Sequence, residues 1–563
     1  MGTIIFASTV VRSAVKLNDM PDYIRKRSFP LSSKTLRSAI EHLPSVNTRR
    51  LRTQKYIAYA ILIPLNLTLI HLFSNYIRNF WWLYPLIALR PVVDFVEMTS
   101  ILVFGLVRYL RPTLPKIPET PESFAYLLCC YNETYEEMMV SLESLAAQKS
   151  VEDHKKIIIV VCNGRVSTKG MTKTTAAHLI EDIIERPTSI HMSDAYTSWD
   201  GASMKIELVK GEFRGVPIVC LVKNENRGKR DGVTLMRSFL YKFNQRKSNP
   251  ELGMLGPELF TELSGFLESL SIQNVDYVVG IDADTRFDDK CVSNLIQTVR
   301  EGDRIIGVTG FIRPDPIDVS PLSPAYIYQN AEYMVGQYRR RLRQSLTSER
   351  VTCLPGCCQL LRVEDSTCGD DITKKFGYYP KETDGLFRTI QSMMSEDRDH
   401  ICLVLSENPG VKTRLCLGAK AYTTAPTKFS VFLSQRRRWT LGPLTSDSLL
   451  FCRKYTGWTE RLAAFGSVLT WIIGPSLFFA RYQSQLDART VLVLVFIEAY
   501  RKFWDTLTIL MCAQSLKDGV QLAVGVLIYY RVGPIIGQMT QMYTLLKMDD
   551  FRWGKTRIAI AHK

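Results

Sequence analysis

The sequence predicts an α/β domain of the nucleotide-binding type, placed between hydrophobic segments that are long enough to cross a membrane. Two observations indicate this fold class. Between about residues 124 and 443, short apolar runs alternate with polar turns and helical stretches, as in domains built on a parallel sheet. Near both ends of the chain, apolar runs of about 18 residues or more carry few or no charges. We therefore expect a water-soluble centre and membrane-embedded ends.

The overall composition excludes several classes of protein. Of 563 residues, 46% are hydrophobic and 22% are charged, with 25 Phe, 25 Tyr and 8 Trp. Such a chain carries too much apolar surface to be disordered, and 32 Gly with 25 Pro are too few for a fibrous protein. The mean hydropathy of −0.02 therefore averages a soluble centre with more apolar ends.

Thirteen cysteines are scattered along the chain without a CxxC pair or a neighbouring His at zinc spacing. This pattern predicts neither a disulfide framework nor a zinc site, and it favours a reduced, cytosol-facing catalytic part. The first 15 residues do not resemble a secretory signal, because Ser, Thr and Arg interrupt their apolar run.

The basic N-terminal segment favours a position beside a membrane. Residues 1–55 carry 11 Lys or Arg against 3 acidic residues, a balance that suits either nucleic acid or a membrane surface. Residues 56–73 then contain no formal charge and are near the minimum length of a spanning helix. We therefore expect no nucleic-acid partner, and the positive-inside rule puts residues 1–55 in the cytosol.

A second hydrophobic stretch covers residues 80–110 and begins with aromatic residues typical of a lipid–water boundary. Arg90, Asp94 and Glu97 interrupt it. Two alternatives follow: a span whose carboxylates turn to protein, or an interfacial helix followed by a short crossing. We expect residues 56–111 to contain two crossings that return the chain to the cytosol.

Four short apolar runs predict the strands of the central domain, which we place at residues 112–445. Each run is continuous rather than alternating, which indicates burial on both faces of a parallel sheet covered by helices. In such folds ligands bind beyond the carboxyl ends of the strands. The runs are residues 124–130, 156–162, 216–222 and 277–281.

Apolar runs return after the central domain, over residues 446–563. Residues 462–480 and 491–510 predict one membrane segment each, and residues 516–546, interrupted at Arg531, predict one crossing or two. The basic tail that follows favours a cytosolic end and an even number of crossings.

The strongest local pattern is IDADT at residues 281–285, directly after the fourth apolar run. Asp282 and Asp284 are two residues apart at a strand end, so their carboxylates point to the same side and can hold a divalent cation against a diphosphate. Oxygen ligands without His suit Mg²⁺ or Mn²⁺ better than zinc. The alternative is a solvated turn.

The turns after the other runs carry groups suited to a nucleotide. Tyr131 and Glu133 follow the first run and Asn163 follows the second, offering a ring, a carboxylate and an amide to a nucleobase. The third run leads into NENRGKRDG, where Lys229 and Arg230 beside a glycine suit a phosphate. For the first two turns, the alternative is an ordinary strand-to-helix turn with helix capping. For NENRGKRDG, the alternative is a surface turn.

Two later motifs suit proton transfer and phosphate binding. In the sequence SEDR, Glu396 and Asp397 lie beside a cation, and in a glycosyl transfer one of them would remove the proton from the attacking hydroxyl. In QRRRW, at residues 435–439, three arginines can neutralise a diphosphate leaving group and the Trp can stack on a sugar ring. The alternatives are a surface ion pair and a basic membrane-surface helix.

Taken in order, six motifs resemble those of chitin synthases, within the processive, membrane-embedded family-two glycosyltransferases that include hyaluronan and cellulose synthases. The resemblance extends from about residue 126 to residue 557. It is specific because all six motifs recur in order, and QNAEY and QRRRW best separate the chitin synthase branch. The motifs are IDADT from Ile281, QNAEY from Gln329, CLPGC from Cys353, EDR from Glu396, QRRRW from Gln435 and DDFRWGKTR from Asp549.

The resemblance implies a GT-A type glycosyltransferase domain fused to an α-helical transmembrane channel, with QRRRW on an interfacial helix. It implies that Asp284 binds the metal with Asp282 assisting, and that Asp397 is the general base on the acceptor 4-hydroxyl. Position 163 departs from the family, where Asp is usual, so we expect altered affinity rather than lost activity. Further implied roles are catalysis for Glu396, Gln435, Arg438 and Trp439, and substrate binding for Tyr131, Glu133, Asn163, Lys229, Arg230, Asp282, Cys357 and Arg437.

The implied activity is polymerisation of GlcNAc from UDP-GlcNAc into β-1,4-linked chitin for a cell wall or surface polysaccharide. The enzyme would be a multi-pass plasma-membrane protein with a cytosolic catalytic domain. Its implied partners are Mg²⁺ or Mn²⁺, UDP-GlcNAc, the growing polysaccharide, the lipid bilayer and a second copy in a homodimer. Two alternatives are a sister enzyme that makes hyaluronan or another β-glycan, and a catalytically silent membrane scaffold or secretion channel.

Overall fold

A computed structural model describes most of the chain. The described residues are 43–76, 84–168, 171–317, 319–320, 322–453, 456–483, 488–551 and 559–560. Most of the basic segment predicted at residues 1–55 lies outside them. So do the start of the stretch predicted at residues 80–110 and most of the DDFRWGKTR motif.

The described residues form twelve strands and eighteen α-helices. The strands are β1 Ser123–Cys130, β2 Lys155–Cys162, β3 Ser167–Thr168, β4 Glu185–Thr197, β5 Ser203–Phe213, β6 Val216–Lys223, β7 Tyr277–Asp282, β8 Thr285–Phe287, β9 Ile305–Pro314, β10 Gln359–Arg362, β11 Lys412–Thr423 and β12 Ala559–Ile560. The helices are α1 Thr48–Asn75, α2 Tyr84–Leu110, α3 Tyr135–Ala146, α4 Thr175–Ala177, α5 Gly228–Asn244, α6 Pro257–Ser269, α7 Cys291–Val299, α8 Pro324–Gly336, α9 Leu342–Leu346, α10 Asp365–Cys368, α11 Asp370–Phe376, α12 Leu386–Met393, α13 Glu396–Glu407, α14 Phe429–Cys452, α15 Trp458–Ile472, α16 Gly474–Gln483, α17 Ala488–Cys512 and α18 Leu516–Leu546. Shorter helical turns cover His178–Ile183, Arg246–Ser248 and Gln337–Arg341.

Ten strands form one sheet in the order β4-β5-β6-β2-β1-β7-β10-β9-β11-β8. The four strands predicted from apolar runs, β1, β2, β6 and β7, are neighbours in this sheet, and every pairing among them is parallel. Their side chains are almost all buried, as continuous apolar runs predict for a sheet covered on both faces. The prediction of a parallel core is confirmed.

The sheet as a whole is mixed, which the apolar runs did not predict. The pairs β4–β5, β5–β6, β7–β10, β9–β10 and β8–β11 are antiparallel. The edge strand β4, ERPTSIHMSDAYT, is mostly exposed. Such a strand lacks the continuous apolar run by which buried strands are found in a sequence.

Helices cover both faces of the sheet. Along β1, Ala125 and Leu127 face one core, to which α5 and α6 contribute apolar side chains. Phe124, Tyr126 and Leu128 face the other core, which contains side chains of α3 and α7. Alternate side chains of one strand therefore pack into two hydrophobic layers. Both faces of the sheet are covered, so a ligand site is expected at the edge where the strands end.

Two helices of the described part, Thr48–Asn75 and Leu516–Leu546, are long and apolar enough to cross a membrane. The first contains the run predicted at residues 56–73. The second is a single helix with Pro534 inside it, so the alternative of two separate helices over residues 516–546 does not hold.

The carboxylates of α2 turn to protein, as one of the two alternatives for this stretch requires. Asp94 is 2% exposed, and one of its oxygens lies 3.4 Å from Arg339 NH1. Glu97 Oε1 lies 3.0 Å from Arg343 Nε. These ion pairs join α2 to the segment that follows α8, so this helix packs against the central domain.

Asp231 should be required for the stability of the central domain. It and Lys223 are both fully buried, with 2.6 Å between Lys223 Nζ and Asp231 Oδ2, and Asp231 also accepts hydrogen bonds from Tyr196 OH and Trp199 N. Asp231→Ala leaves a buried cation without its partner, which we expect to cost about 3–5 kcal/mol. The measurement is the thermal unfolding midpoint in detergent.

The matched control is Asp289→Ala, which breaks the exposed pair of Asp289 with Lys149. Exposed pairs contribute at most about 1 kcal/mol, so its midpoint should match that of the unchanged protein. Equal midpoints for the two variants would contradict the role given to Asp231.

Candidate active site

The carboxyl ends of β1, β2, β6 and β7 lie at one edge of the sheet, because these strands are parallel neighbours. Tyr131 and Glu133 follow β1, and Asn163 follows β2. Lys229 lies in the first turn of α5 after β6, and Asp282 ends β7. One edge therefore collects the polar residues that the sequence placed after four separate apolar runs.

Lys229 is a cation enclosed by carboxylates. Its Nζ lies 2.6 Å from Asp282 Oδ1 and 3.3 Å from Glu396 Oε1. Burial favours the neutral amine, but Asp282, Asp397 and Glu396 outweigh it and raise the pKa of Lys229 well above its usual value. The ammonium therefore stays charged and joins the end of β7 to the first turn of α13.

Asp397 has the environment of a base that is active near neutral pH. Burial raises the pKa of its carboxyl to about 6, and the charges of Glu396 and Asp282 act in the same direction. Lys229 and a hydrogen bond from the Gly356 backbone N–H oppose the rise. A carboxylate with this pKa is ionised at pH 7 but remains basic enough to accept a proton.

Glu396, the neighbour of Asp397, has the opposite character. Burial would raise its pKa, but Lys229, its own backbone N–H and the more distant Arg230 and Arg438 lower the pKa below the usual value. Glu396 is therefore a fixed negative charge beside Lys229. Of the two adjacent carboxylates, Asp397 is the one suited to accept a proton.

Gly356, in the CLPGC motif, lies so close to this cluster that a larger residue would displace its side chains. A Cβ added there would lie 2.6 Å from Asp397 Oδ1 and 2.9 Å from Lys229 Nζ. Cys357 is 9% exposed, and burial together with the charges of Asp282 and Asp397 raises the pKa of its thiol well above the usual value. The thiol is therefore neutral.

Asp284 lies in an excess of negative charge. Burial raises the pKa of its carboxyl to about 7, and Asp282, Glu133 and Glu137 add to the rise, while Lys229 opposes it. The Asp284 backbone oxygen accepts a hydrogen bond from the N–H of residue 424 at 3.2 Å, which fixes the loop after β7. The Oδ1 of its carboxylate accepts hydrogen bonds from the hydroxyls of Thr285 and Thr423, at 3.3 and 3.4 Å.

The donors at this edge fit a hard divalent cation. Asp282 and Asp284 offer only carboxylate oxygens, and a divalent cation would neutralise the excess negative charge around Asp284. Within the described residues, no group of three or more His, Cys, Asp or Glu is arranged to hold a metal ion. A metal held by the two carboxylates would therefore need ligands from a diphosphate and water, as is usual for Mg²⁺.

The side of the edge nearest β2 is suited to a nucleobase. Glu133 Oε2 accepts a hydrogen bond from Tyr131 N at 2.5 Å, and burial raises the pKa of Glu133. Asn163 is 4% exposed, and its Nδ2 donates to Cys130 O at 3.4 Å. Its Oδ1 is buried and has no hydrogen-bond partner among the described residues. This oxygen is therefore an acceptor that the described residues leave unused.

The helix that begins at Glu396 is fixed to the QRRRW helix, α14. Ser395 precedes it with a left-handed backbone (φ 54°), and its Oγ donates to Arg438 O at 3.3 Å. A Cβ at Gly442 would collide with Ser395 Oγ, so α14 passes against this turn without a side chain between them. The motifs EDR and QRRRW, distant in sequence, thus share one joint.

QNAEY meets QRRRW at Trp439. Arg436 lies 4.1 Å from the Trp439 ring centre, and its Nε is 3.2 Å from Glu332 Oε1. Tyr333 packs edge to face on Trp439 at 5.7 Å, and Gln435 Oε1 accepts from Arg436 NH1 at 2.7 Å. Trp439 is 43% exposed, so its ring is open to a sugar. Sequence reasoning assigned no role to Glu332 or Tyr333, although their motif was recognised.

Two arginines predicted to bind substrate, Arg230 and Arg437, make ion pairs inside the protein, and their contacts with substrate stay predictions. Arg230 is 6% exposed, and its NH1 lies 3.0 Å from Asp399 Oδ2. Arg437 is 2% exposed and lies 3.6 Å from Asp550 Oδ2. Arg436, which the motif also offered to the diphosphate, is paired with Glu332. Of the cations predicted for phosphate, Lys229 and Arg438 lie beside the carboxylate cluster.

Comparison with known proteins decides the family. A family model described as chitin synthase matches residues 215–563. Chitin synthase 8 of Gibberella zeae is 34% identical over 536 residues, covering 92% of this chain and 80% of that protein. The chain belongs to the chitin synthase family. It is therefore a glycosyltransferase, and the resemblance of its motifs to those of chitin synthases is confirmed.

Two further comparisons give a second relative and a solved structure. Chitin synthase 8 of Verticillium dahliae is 34% identical over 467 residues, covering 78% of this chain and 76% of that protein. Among solved structures, a mannosyltransferase from Pyrobaculum calidifontis in complex with GDP-Man and Mn²⁺ aligns with a TM-score of 0.35 and 10% identity, over 78% of this chain and 98% of that one.

Gly356→Ala should abolish most of the synthase activity without unfolding the protein. The added Cβ meets Asp397 and Lys229, which are held by other charges, so the base shifts from its position. A displacement of about 1 Å at such a site can cost roughly 100-fold in rate. The measurement is sugar incorporation per folded enzyme.

Gly302→Ala is the control, because a Cβ there makes only ordinary contacts with Ile305, at 3.6 Å or more. It should leave incorporation unchanged. Full activity of Gly356→Ala would show that the close approach at this glycine is not needed.

Proposed function

We propose that the protein is a membrane-embedded, processive, inverting glycosyltransferase that polymerises GlcNAc from UDP-GlcNAc into β-1,4-linked chitin and moves the chain across the membrane. The observation that carries the proposal is the cluster of Asp397, Lys229 and Asp282. It combines a base of suitable pKa, a permanent cation and a candidate metal ligand within one edge of the sheet. Membership of the chitin synthase family supports the choice of donor and polymer.

Asp397 is the general base of the proposed reaction. It removes the proton from the 4-hydroxyl of the acceptor GlcNAc while that oxygen attacks the anomeric carbon of the donor. A new carbon–oxygen bond forms as the bond from the anomeric carbon to UDP breaks, and UDP leaves with the electron pair. Attack from the opposite side inverts the α-linked carbon to a β bond. Glu396, whose pKa is lowered, stays ionised beside Lys229.

The diphosphate of the donor would lie against Lys229 and Arg438, with Asp282 and Asp284 on its other side. These two carboxylates would hold Mg²⁺ or Mn²⁺, which neutralises phosphate charge when it is bound. Lys229 already balances Asp282 and Glu396, so it is fixed in position before substrate arrives. Fixed charges of this kind stabilise a leaving group without having to reorganise.

Asn163 would recognise the uracil. Its unpartnered Oδ1 is an acceptor that suits the N3–H of uracil, whereas cytosine presents an acceptor at the same position. Tyr131 and Glu133 would line the same pocket. Trp439, with Gln435 beside it, would bind the acceptor sugar, since its exposed ring lies at the joint of QNAEY and QRRRW.

The setting of the domain is part of the proposal. We place a basic cytosolic segment at residues 1–55, membrane helices at 56–111, the GT-A domain at 112–445 and further membrane helices with a cytosolic tail at 446–563. The two long apolar helices support a membrane location, with the catalytic domain in the cytosol beneath the plasma membrane. A homodimer and the lipid bilayer complete the proposed partners.

Product analysis of the detergent-purified protein tests the function. With Mg²⁺ or Mn²⁺ and UDP-GlcNAc alone, we expect a polymer that chitinase degrades, and Asp397→Asn should lose turnover while keeping its unfolding midpoint and its affinity for UDP. Polymer that needs UDP-GlcA as well would favour hyaluronan. Full activity of Asp397→Asn would remove the base from this position, and cellular function without any turnover would favour a silent scaffold.

The rate should depend on the protonation of Asp397. Because the base acts only when ionised and burial raises its pKa to about 6, kcat/KM should be level above pH 7 and should fall as the pH drops through about 6. The measurement is a pH profile of kcat/KM at saturating metal. Asp284, with a pKa raised to about 7, also takes up a proton in this range. A midpoint that moves with metal concentration would assign the profile to Asp284 instead.

A further inference from the structure

We propose that Asp447, on the QRRRW helix, is a positioning residue that sets the direction of the catalytic base Asp397 by holding Arg398. This inference rests on the proposed role of Asp397. Asp447 lies outside the six motifs, and its side chain does not touch the cleft at the sheet edge. Its action is therefore indirect, through the first turn of α13.

Asp447 is the centre of a buried ion-pair network. It is 1% exposed, and its Oδ1 accepts a short hydrogen bond from Arg398 NH2. Both of its oxygens lie 3.0 Å from Arg340 NH2, and the Ser467 side chain also donates to it. The Asp447 carboxylate therefore pairs with two arginines and accepts a further hydrogen bond from a serine.

The first turn of α13 is fixed by ion pairs on three sides. Glu396 pairs with Lys229, Arg398 with Asp447, and Asp399 with Arg230. Successive helix residues point about 100° apart, so three such pairs fix the rotation of the helix about its axis. The remaining residue of the turn, Asp397, is thereby directed at Gly356 and Lys229.

Without Asp447, Arg398 would be a buried cation beside three carboxylates of its own helix turn. Arg398 is only 5% exposed, so its charge has little access to water. A buried charge without its partner is unfavourable, so Arg398 would be attracted to another carboxylate. Asp397 is its neighbour in the chain. Arg398 would then compete with Lys229 and the acceptor hydroxyl for the base. Asp447 thus keeps a necessary cation away from the reacting carboxylate.

Asp447 also fixes α13 relative to the helix that carries QRRRW. It lies five residues beyond Gly442, roughly 7.5 Å along α14, and Gly442 is the position at which Ser395 packs. Two joints at this separation hold the two helices at a set angle, whereas one joint would leave them free to pivot. The proposed base, Asp397, and the Trp439 ring proposed to bind the acceptor are therefore fixed relative to each other.

The experiment compares variants that break one arm of the network at a time. Asp447→Asn and Arg398→Gln should each lower kcat by roughly 10- to 100-fold, with KM for UDP-GlcNAc within about 2-fold of the unchanged enzyme, because the base is displaced while the donor site is intact. Rates are taken per UDP-binding site, so that a smaller folded fraction does not lower kcat. Arg340→Gln is the matched control. It breaks the other arm of Asp447, and since its side chain is 37% exposed it should leave kcat within about 2-fold.

The double variant Asp447→Asn with Arg398→Gln guards against misfolding, because it removes both buried charges together. It should fold and should show a kcat no lower than that of the worse single variant, since both residues act through one contact. Equal losses in Arg340→Gln and Arg398→Gln, or a normal kcat per binding site in Asp447→Asn, would overturn the proposal. Failure of the single and double variants to fold would make Asp447 a determinant of folding instead. Full turnover by Asp397→Asn would refute the proposed function and is a separate outcome.

Discussion

The site depends on one ammonium group placed among carboxylates. Asp282, Glu396 and Asp397 come from distant parts of the chain, and without Lys229 their mutual repulsion would be large in a partly buried cleft. With Lys229 between them they can be held together, and Glu396 and Asp397 differ in proton affinity. Glu396 becomes a permanent anion, and Asp397 becomes a base that works near neutral pH. The fold brings these carboxylates close together, and the positive charge of Lys229 offsets the repulsion between them.

The parallel core explains how distant segments meet. Four buried strands end at the same edge, so four loops supply the side of the cleft to which we assign the nucleotide. The acceptor side comes from elements after the core, the turn at Ser395 and the helix α14, and these must be fixed by contacts of their own. Close packing at Gly356 and Gly442 and the ion pairs of the first turn of α13 perform this function. Donor and acceptor sides are thus built by different physical means.

Sequence reasoning found the donor side better than the acceptor side. Runs of apolar residues predict buried strands, and the residues that follow them are placed by topology alone, so Asp282, Asp284 and Asn163 could be found. A Lys or Arg in a motif is different, because the sequence does not indicate whether its side chain points to the cleft or into the protein. Arg230 was assigned to phosphate, although a carboxylate 169 positions further along holds it. Asp447 was not found at all, because the contacts of a lone acidic residue in a helix are set only by tertiary packing.

The two close glycine approaches have a consequence for how this sequence can vary. An added Cβ would lie 2.6 Å from Asp397 Oδ1 at Gly356 and closer still to Ser395 Oγ at Gly442, so any other residue there requires a neighbouring side chain to move. At Gly336 and Gly466, by contrast, nothing lies within 4 Å of an added Cβ. Tolerance to mutation at glycine is therefore uneven along the chain. At the two glycines of the cleft, a larger residue is accommodated only if the facing side chains of Asp397, Lys229 or Ser395 move with it.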